Sequence, residues 1–136
     1  MEEHFVGKIA QKAIVEKEGR VLITRDVRDG DVWELPGGRL NVGESLEEGL
    51  QREMQEELGV AVHVHKVVYA ETFMHPRGNV PHVLLAYHAT LTSPAEEFRP
   101  HDIEIAEMKW IDKNDLLHIS IFPQYVRALE TFFKTR

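Results

Sequence analysis

The chain contains no cysteine. That excludes disulfide staples, zinc sites built on thiolates and thiol nucleophiles, and it fits a reducing compartment. An excess of positive charge is also missing, since the formal net charge is −7 at pH 7. A protein that grips long nucleic acid through its phosphates usually carries a basic field, so no long nucleic acid is expected as a partner. Small anions stay open, because a bound metal can reverse the local charge. The most apolar runs, such as Val83 to Ala86, are far too short to span a bilayer. The opening Met-Glu-Glu-His-Phe has no basic segment leading into an apolar one, so no signal peptide is visible. The expectation is a cytoplasmic protein without a membrane partner. No repeat, linker or low-complexity segment divides the chain.

What is present suits one domain over residues 1–136, and 43% hydrophobic residues are enough for a real core. Residues 6–16 and 20–25 are rich in Val and Ile, and Glu18-Gly19 between them predicts a hairpin. Asp26 to Asp31 is a polar stretch with an Asp-Gly pair and reads as a turn. Its acidic spacing does not fit an EF-hand calcium loop. Trp33-Glu34-Leu35-Pro36-Gly37-Gly38 ends a short strand in a rigid turn.

Residues 45–58 read as a helix. Ser45 is the candidate N-cap with Glu48 three positions on, a capping box. Leu46, Leu50, Met54 and Leu58 form one apolar stripe, and Gly59 stops the helix. Further strands are expected over 60–73, 80–92 and 107–111, with a polar loop from Ser93 to Asp102. A helical turn or two is expected over 113–118, and a final amphipathic helix over 123–134 with Pro123 in its first turn. Strands and helices do not alternate strictly, so the fold class is mixed α/β, with a mixed sheet and helices on its faces.

The segment Gly38 to Val60 carries the chemistry. Successive helical residues turn by about 100°, so Glu53, Glu56 and Glu57 share one face beside the apolar stripe. Gly49 lies one turn earlier on that face and leaves room for an approach. Like charges at these spacings cost on the order of 0.2–0.5 kcal/mol per pair. Glu56 and Glu57 also sit in the last turn, where the helix dipole disfavours anions. A divalent cation would supply the missing charge, and an all-oxygen ligand set favours Mg²⁺, Mn²⁺ or Ca²⁺ over zinc. Glu47 and Glu48, in the first turn, need no such explanation.

These residues match a known pattern. Gly38, five residues, Glu44, seven residues, Arg52-Glu53, Met54, any residue, Glu56-Glu57, any residue, Gly59 and an aliphatic Val60 together resemble the Nudix box. Seven fixed positions at backgrounds of roughly 5–7% each would coincide at a given start about once in 10⁹. The one departure is Met54 at an aliphatic position, which Met fills adequately. Leu-Pro-Gly-Gly before the box and Glu-Met-Lys-Trp-Ile after it are also similar to the family.

The resemblance implies an α/β/α sandwich with a mixed central sheet, and hydrolysis of a diphosphate bond by attack of water with Mg²⁺, for which Mn²⁺ can substitute. It implies that Glu53, Glu57 and the Gly38 carbonyl ligate the metal, with Glu56 a ligand directly or through water. Arg52 and Glu44 would be an orienting pair, although Arg52 could equally pair with Glu48 at i,i+4. The general base would come from the box or from a later loop, where Glu104 is the leading candidate and Glu107 the rival.

The expected partner is a small nucleotide. Arg25 and Arg77 could bind phosphate. Phe73, Trp33, Tyr69 and Phe5 could stack a base, although such residues are more often core. Pro76 lies about where ADP-ribose-cleaving members of the family tend to have a proline. The eight histidines show no His-Glu-x-x-His helix and read as surface or packing residues. The leading reading is hydrolysis of a nucleoside diphosphate linked to another moiety. A nucleoside triphosphate or RNA 5′-end pyrophosphohydrolase is the alternative enzyme. A non-catalytic nucleotide-binding domain would be expected to have lost box carboxylates, and here all are present. A homodimer stays open.

Overall fold

Side chains along a strand point alternately to opposite faces, and in the central strands both faces are apolar. The computed structural model describes residues 2–93 and 97–136. It places the first two strands at β1 (Lys8–Lys17) and β2 (Arg20–Asp26). Ala13, Val15 and Leu22 face one side of the sheet, and Ile14, Val21 and Ile23 the other. The two join through Glu18-Gly19, whose φ angles of 53° and 79° are the left-handed pair of a tight hairpin turn. Glycine adopts this freely and glutamate does not. Glu18→Asn is therefore expected to stabilise the protein by roughly 0.5–1 kcal/mol. An unchanged or lower urea midpoint would count against that reading of the turn.

The remaining strands are β3 (Gly37–Arg39), β4 (Val62–Met74), β5 (Pro81–Leu91) and β6 (Ile105–Ile111). Their order is β4-β5-β1-β2-β6, with β3 joined to β1 off that path. Only the β1–β5 pairing is parallel among these, so the sheet is mixed as expected. β1 bonds β2 only near the hairpin, at Glu16 and Lys17, and bonds β3 at Ala10 to Lys12. The chain from Glu34 to Arg39 thus enters between β1 and β2. Thr24 and Glu34 exchange backbone hydrogen bonds of 2.8 Å, and the Ala13 amide donates to the Pro36 carbonyl at 2.9 Å. This insertion brings Gly37 and Gly38 to the middle of the sheet. It corrects the expectation that they form only a turn.

Helix α1 (Leu46–Leu58) covers one face, packing Leu50, Met54 and Leu58 on Ala13, Val15 and Leu22. Helix α2 (Pro123–Lys134) covers the other through Tyr125, Ala128, Leu129 and Phe132. The result is the α/β/α sandwich. A short 3-10 helix spans Lys113–Leu117. Leu46 departs from the expected stripe and stays 44% exposed. The space beneath the first turn is taken by Gln11 and Leu40, which press against Gly49 so closely that a Cβ there would lie 2.5 Å from each. Of the loop expected over Ser93 to Asp102, residues 94–96 lie outside the described residues. Among the described residues, no helix is long and apolar enough to cross a membrane.

Candidate active site

The ends of α1 position its acidic residues. Ser45 and Glu48 form the reciprocal capping box, and Gly59 closes the helix in the left-handed conformation at φ 66°. A helix C-terminus leaves carbonyls without intrahelical donors. Here Arg99 donates its amide to Leu58 at 2.7 Å and His101 to Glu57 at 2.8 Å. The loop leading to β6 is thereby docked on the acidic end of the helix, with Glu104 and His101 beside Glu53, Glu56 and Glu57 around a concavity of ≈ 420 Å³.

The three box carboxylates differ sharply in environment. Glu57 is buried, 8% exposed, and among the described residues its side chain accepts one hydrogen bond, a long one of 3.4 Å from the Gly37 amide. Burial pushes its pKa up to about 8, against the attraction of Lys12. Glu53 is also raised by burial, although Arg52 opposes the shift. The Glu56 side chain is 62% exposed and turns to Arg52.

Arg52 organises the group. It makes two hydrogen bonds to Glu44, one to Glu53 at 2.9 Å, one to Glu56 at 3.1 Å and one to the Arg39 carbonyl at 3.0 Å. The expected link to Glu44 is present. The alternative pair with Glu48 is not, because Glu48 is engaged in the cap. Glu44 is held below the usual carboxylate range by its hydrogen bond from Arg52 and by the Asn41 amide.

The donor set fits a divalent cation. The buried Glu57 and the half-buried Glu53 share one helix face, and the pKa of each is raised by burial despite the cations nearby. A Cβ on Gly38 would fall 2.2 Å from Glu53 Oε2, so the carboxylate rests directly on the Gly38 backbone. Only glycine permits that approach of the carboxylate to the peptide, and carboxylates are the oxygen ligands that hard cations prefer.

On the other side of Glu53 and Glu57 lies a cleft of ≈ 380 Å³ that also reaches Glu104. Its floor holds Lys12, an unforeseen residue. Lys12 Nζ donates to Glu34 at 2.9 Å and to the Gly37 carbonyl at 3.3 Å, and lies 5.5 Å from the centre of the Tyr125 ring. Burial disfavours its charge, but the attraction of Glu34, Tyr125 and Glu57 outweighs this and holds its pKa above the ordinary lysine range.

The Asp26 turn contributes to the cleft wall as well. Asp26, Asp29 and Glu34 bring oxygens within 4.8 Å of one another. Each already has a cation: Arg28 on Asp26, Arg77 on Asp29 and Lys12 on Glu34. Arg28 holds the Asp26 carboxyl below its usual range.

The substrate candidates divide. Phe73, Pro76 and Arg77 line the cleft. Arg25 is not among its lining residues. It is tied to Glu107 and to the Gly30 carbonyl, and stands over the Trp33 ring. Glu107, the rival base, is thereby engaged across the β2–β6 pair. Trp33 is core, Phe5 is 52% exposed, and Tyr69 bonds Glu71. Among the histidines, the exposed His65 stacks near the half-buried His88, whereas His75 and His82 line the cleft. Lys12, Arg28, His82 and His101 went unrecognised as site neighbours.

Comparison with known proteins agrees with this fold. A family model, the NUDIX domain, matches residues 10–132. The chain is 28% identical over 127 residues to the CTP pyrophosphohydrolase of Escherichia coli (strain K12), covering 91% of this chain and 90% of that protein. It is 25% identical over 119 residues to Phosphatase NudJ of Escherichia coli (strain K12), covering 85% of this chain and 75% of that one. Among solved structures, the MutT NUDIX hydrolase from Burkholderia pseudomallei is similar with a TM-score of 0.79 at 24% identity, over 91% of this chain and 96% of that one. This last likeness concerns the fold.

Proposed function

The chain belongs to the Nudix family and is a hydrolase acting on phosphoric anhydrides, and from that premise we propose that it cleaves a diphosphate bond in a nucleoside diphosphate linked to another moiety. The observation that carries this is the presence, in one cleft, of the Glu53 and Glu57 carboxylates with cationic side chains. Glu53 and Glu57 share the cleft with Lys12, Arg28, Arg39 and Arg77, of which Lys12, Arg28 and Arg77 are paired with Glu34, Asp26 and Asp29. That arrangement suits a polyanion presented together with a metal.

Glu53, Glu57 and the Gly38 carbonyl would hold Mg²⁺ or Mn²⁺, with Glu56 at its outer edge. The bound cation supplies charge neutralisation at the phosphates and activation of water. Arg52 and Glu44 keep the carboxylate helix fixed against the loop after β3. Glu104, on the loop docked at the helix end, takes the proton from the attacking water. Arg77 meets a phosphate or ribose, and Phe73 gives a surface for stacking. ADP-ribose and nucleotide sugars are the favoured substrates on the strength of Phe73, Pro76 and Arg77.

A second reading, nucleoside triphosphate pyrophosphohydrolase, is favoured by the similarity to a CTP pyrophosphohydrolase over nearly its whole length. A panel of ADP-ribose, nucleotide sugars, nucleoside triphosphates and 5′-triphosphorylated RNA, assayed with Mg²⁺ and with products identified, separates the two. Much faster turnover of triphosphates would replace the first reading by the second, and no turnover anywhere would remove both.

Glu104→Gln is expected to lower kcat about 10²-fold, the lower end of general-base contributions, while leaving the Mg²⁺ concentration for half-maximal activity nearly unchanged. Unaltered kcat would move the base to a box glutamate.

A further inference from the structure

His82 sits in β5 with 1% of its surface exposed, and it lines the same cleft. Its Nδ1 lies 2.7 Å from the Val80 carbonyl oxygen. A carbonyl only accepts, so Nδ1 carries a hydrogen, and in that tautomer Nε2 presents a lone pair. That nitrogen is buried and has no hydrogen-bond partner among the described residues. A buried acceptor left unmet is costly, so the wall lacks a donor.

His75 is the complement. Its Nδ1 accepts the Arg77 amide hydrogen at 3.0 Å, so the hydrogen of its ring lies on Nε2. Burial and the neighbouring Arg77 lower its pKa, which keeps that ring uncharged. The two imidazole centres are 5.2 Å apart, and the Phe73 ring lies 5.2 Å from His82 and 6.3 Å from His75. The three rings thus line one part of the cleft, with a hydrogen on His75 Nε2 and, just beneath the surface, the unmet acceptor of His82.

A phosphate oxygen at neutral pH chiefly accepts, so it cannot satisfy Nε2 of His82. A metal is poorly served, because among the described residues His82 belongs to no group of three metal-ligating side chains. A neutral N–H or O–H donor on a flat or hydroxylated ring fits. We propose that Phe73, His75 and His82 form the nucleoside-recognition subsite of the cleft, in which His82 Nε2 accepts a hydrogen bond from the base edge or the ribose of the substrate. This rests on the reading of the substrate as a nucleotide. It also sets the substrate's direction, with the nucleoside at the β4–β5 end and the phosphates toward Glu53 and Glu57. A site built to bond one substrate group strongly rejects an analogue that lacks it.

The test compares kcat/KM for CTP against UTP and ATP against ITP, whose base edges exchange donor and acceptor, and for CTP against dCTP, which loses a ribose hydroxyl. Wild type should discriminate at least about tenfold in one of these arms. His82→Asn keeps a donor near the Val80 carbonyl but removes the Nε2 acceptor, and should bring that ratio to within about twofold. The arm that responds identifies base or sugar as the donor. Indifference of wild type in every arm overturns the proposal, as does discrimination that survives in the variant, which would leave only a buried water on Nε2.

A second measurement needs neither turnover nor a variant. In wild type labelled with ¹⁵N-histidine, the resonance of the unprotonated His82 Nε2 should shift on adding CMP and not on adding pyrophosphate. No shift with CMP, or an equal shift with pyrophosphate, overturns the subsite. If no nucleotide is hydrolysed, the proposed function fails while the resonance still decides the subsite.

Discussion

Hydrolysis is expected to stop when the divalent cation is chelated, and Glu57→Gln is expected to lower kcat by at least about 10²-fold with Mg²⁺ present, the scale seen when an electrostatic group acting on the transition state is removed. Glu57 is the box carboxylate most removed from water, and its nearest cation, Lys12, is already bonded to Glu34 and the Gly37 carbonyl. A ligand of that kind contributes a full charge that the solvent hardly screens. Glutamine keeps the size and an oxygen for the Gly37 amide but loses the charge, so the change reads charge rather than shape. Glu56→Gln should be much milder, because the Glu56 side chain is 62% exposed and leans on Arg52. The check is single-site kinetics across an Mg²⁺ titration. Activity that survives full chelation contradicts the mechanism, and near-normal turnover of the Glu57 variant ends its assignment as a ligand.

The elements that were legible from sequence carry local signals. The capping box of Ser45 and Glu48, the stop at Gly59 and the first-turn position of Pro123 each act within a few residues, and both helices fall where those signals put them. The Glu18-Gly19 hairpin is of the same kind. β3 was not legible in this way. Pro-Gly-Gly has the composition of a turn, and only its pairing with Ala10 to Lys12, some 25 residues away, makes Gly37 to Arg39 a strand.

The carboxylate face was readable from helical spacing, but its graded burial was not, because Gly37, Gly38 and the docked loop from Arg99 to Glu104 arrive from elsewhere in the chain. Lys12 and His82 could have been found by alternation. Lys12 falls in step with Ala10 and Ile14, and His82 with Leu84 and Ala86, all at buried positions. A polar residue in phase with a buried face is either paired or waiting for a partner. Arg25 shows the opposite failing. A cation at a strand end reads as a phosphate ligand, yet Glu107 and the Gly30 carbonyl were within its reach.

In the metal-free protein, Glu57→Gln is expected to raise stability, by an amount that grows with pH. The folded protein holds the Glu57 carboxyl at about 8, against 4.5 for the ordinary group, chiefly through burial. Between those values the folded form keeps a proton that the unfolded chain releases, so stability falls as pH rises through that window and levels off above it. Each pKa unit is about 1.4 kcal/mol, which makes the accumulated loss at pH 8 on the order of a few kcal/mol. Glutamine does not titrate and escapes it.

His75 and His88, both lowered by burial, give an opposite trend near their own range. The useful quantity is therefore the difference between variant and wild type, in which they cancel. With millimolar Mg²⁺ the gap should narrow sharply, and it should reverse toward the lower end of the pH range, where the penalty on Glu57 is smallest. The cation replaces the proton on Glu57 and stabilises wild type by roughly 2.7 kcal/mol at a hundredfold excess over Kd, while the variant binds it weakly. Thermal unfolding of both proteins, in EDTA and in Mg²⁺ from about pH 5 to about pH 8, reads all four terms. A gap in EDTA that does not widen with pH would mean that Lys12 and the Gly37 amide already stabilise the carboxylate. Glu57 would then be a structural ion pair rather than a site held ready for a cation.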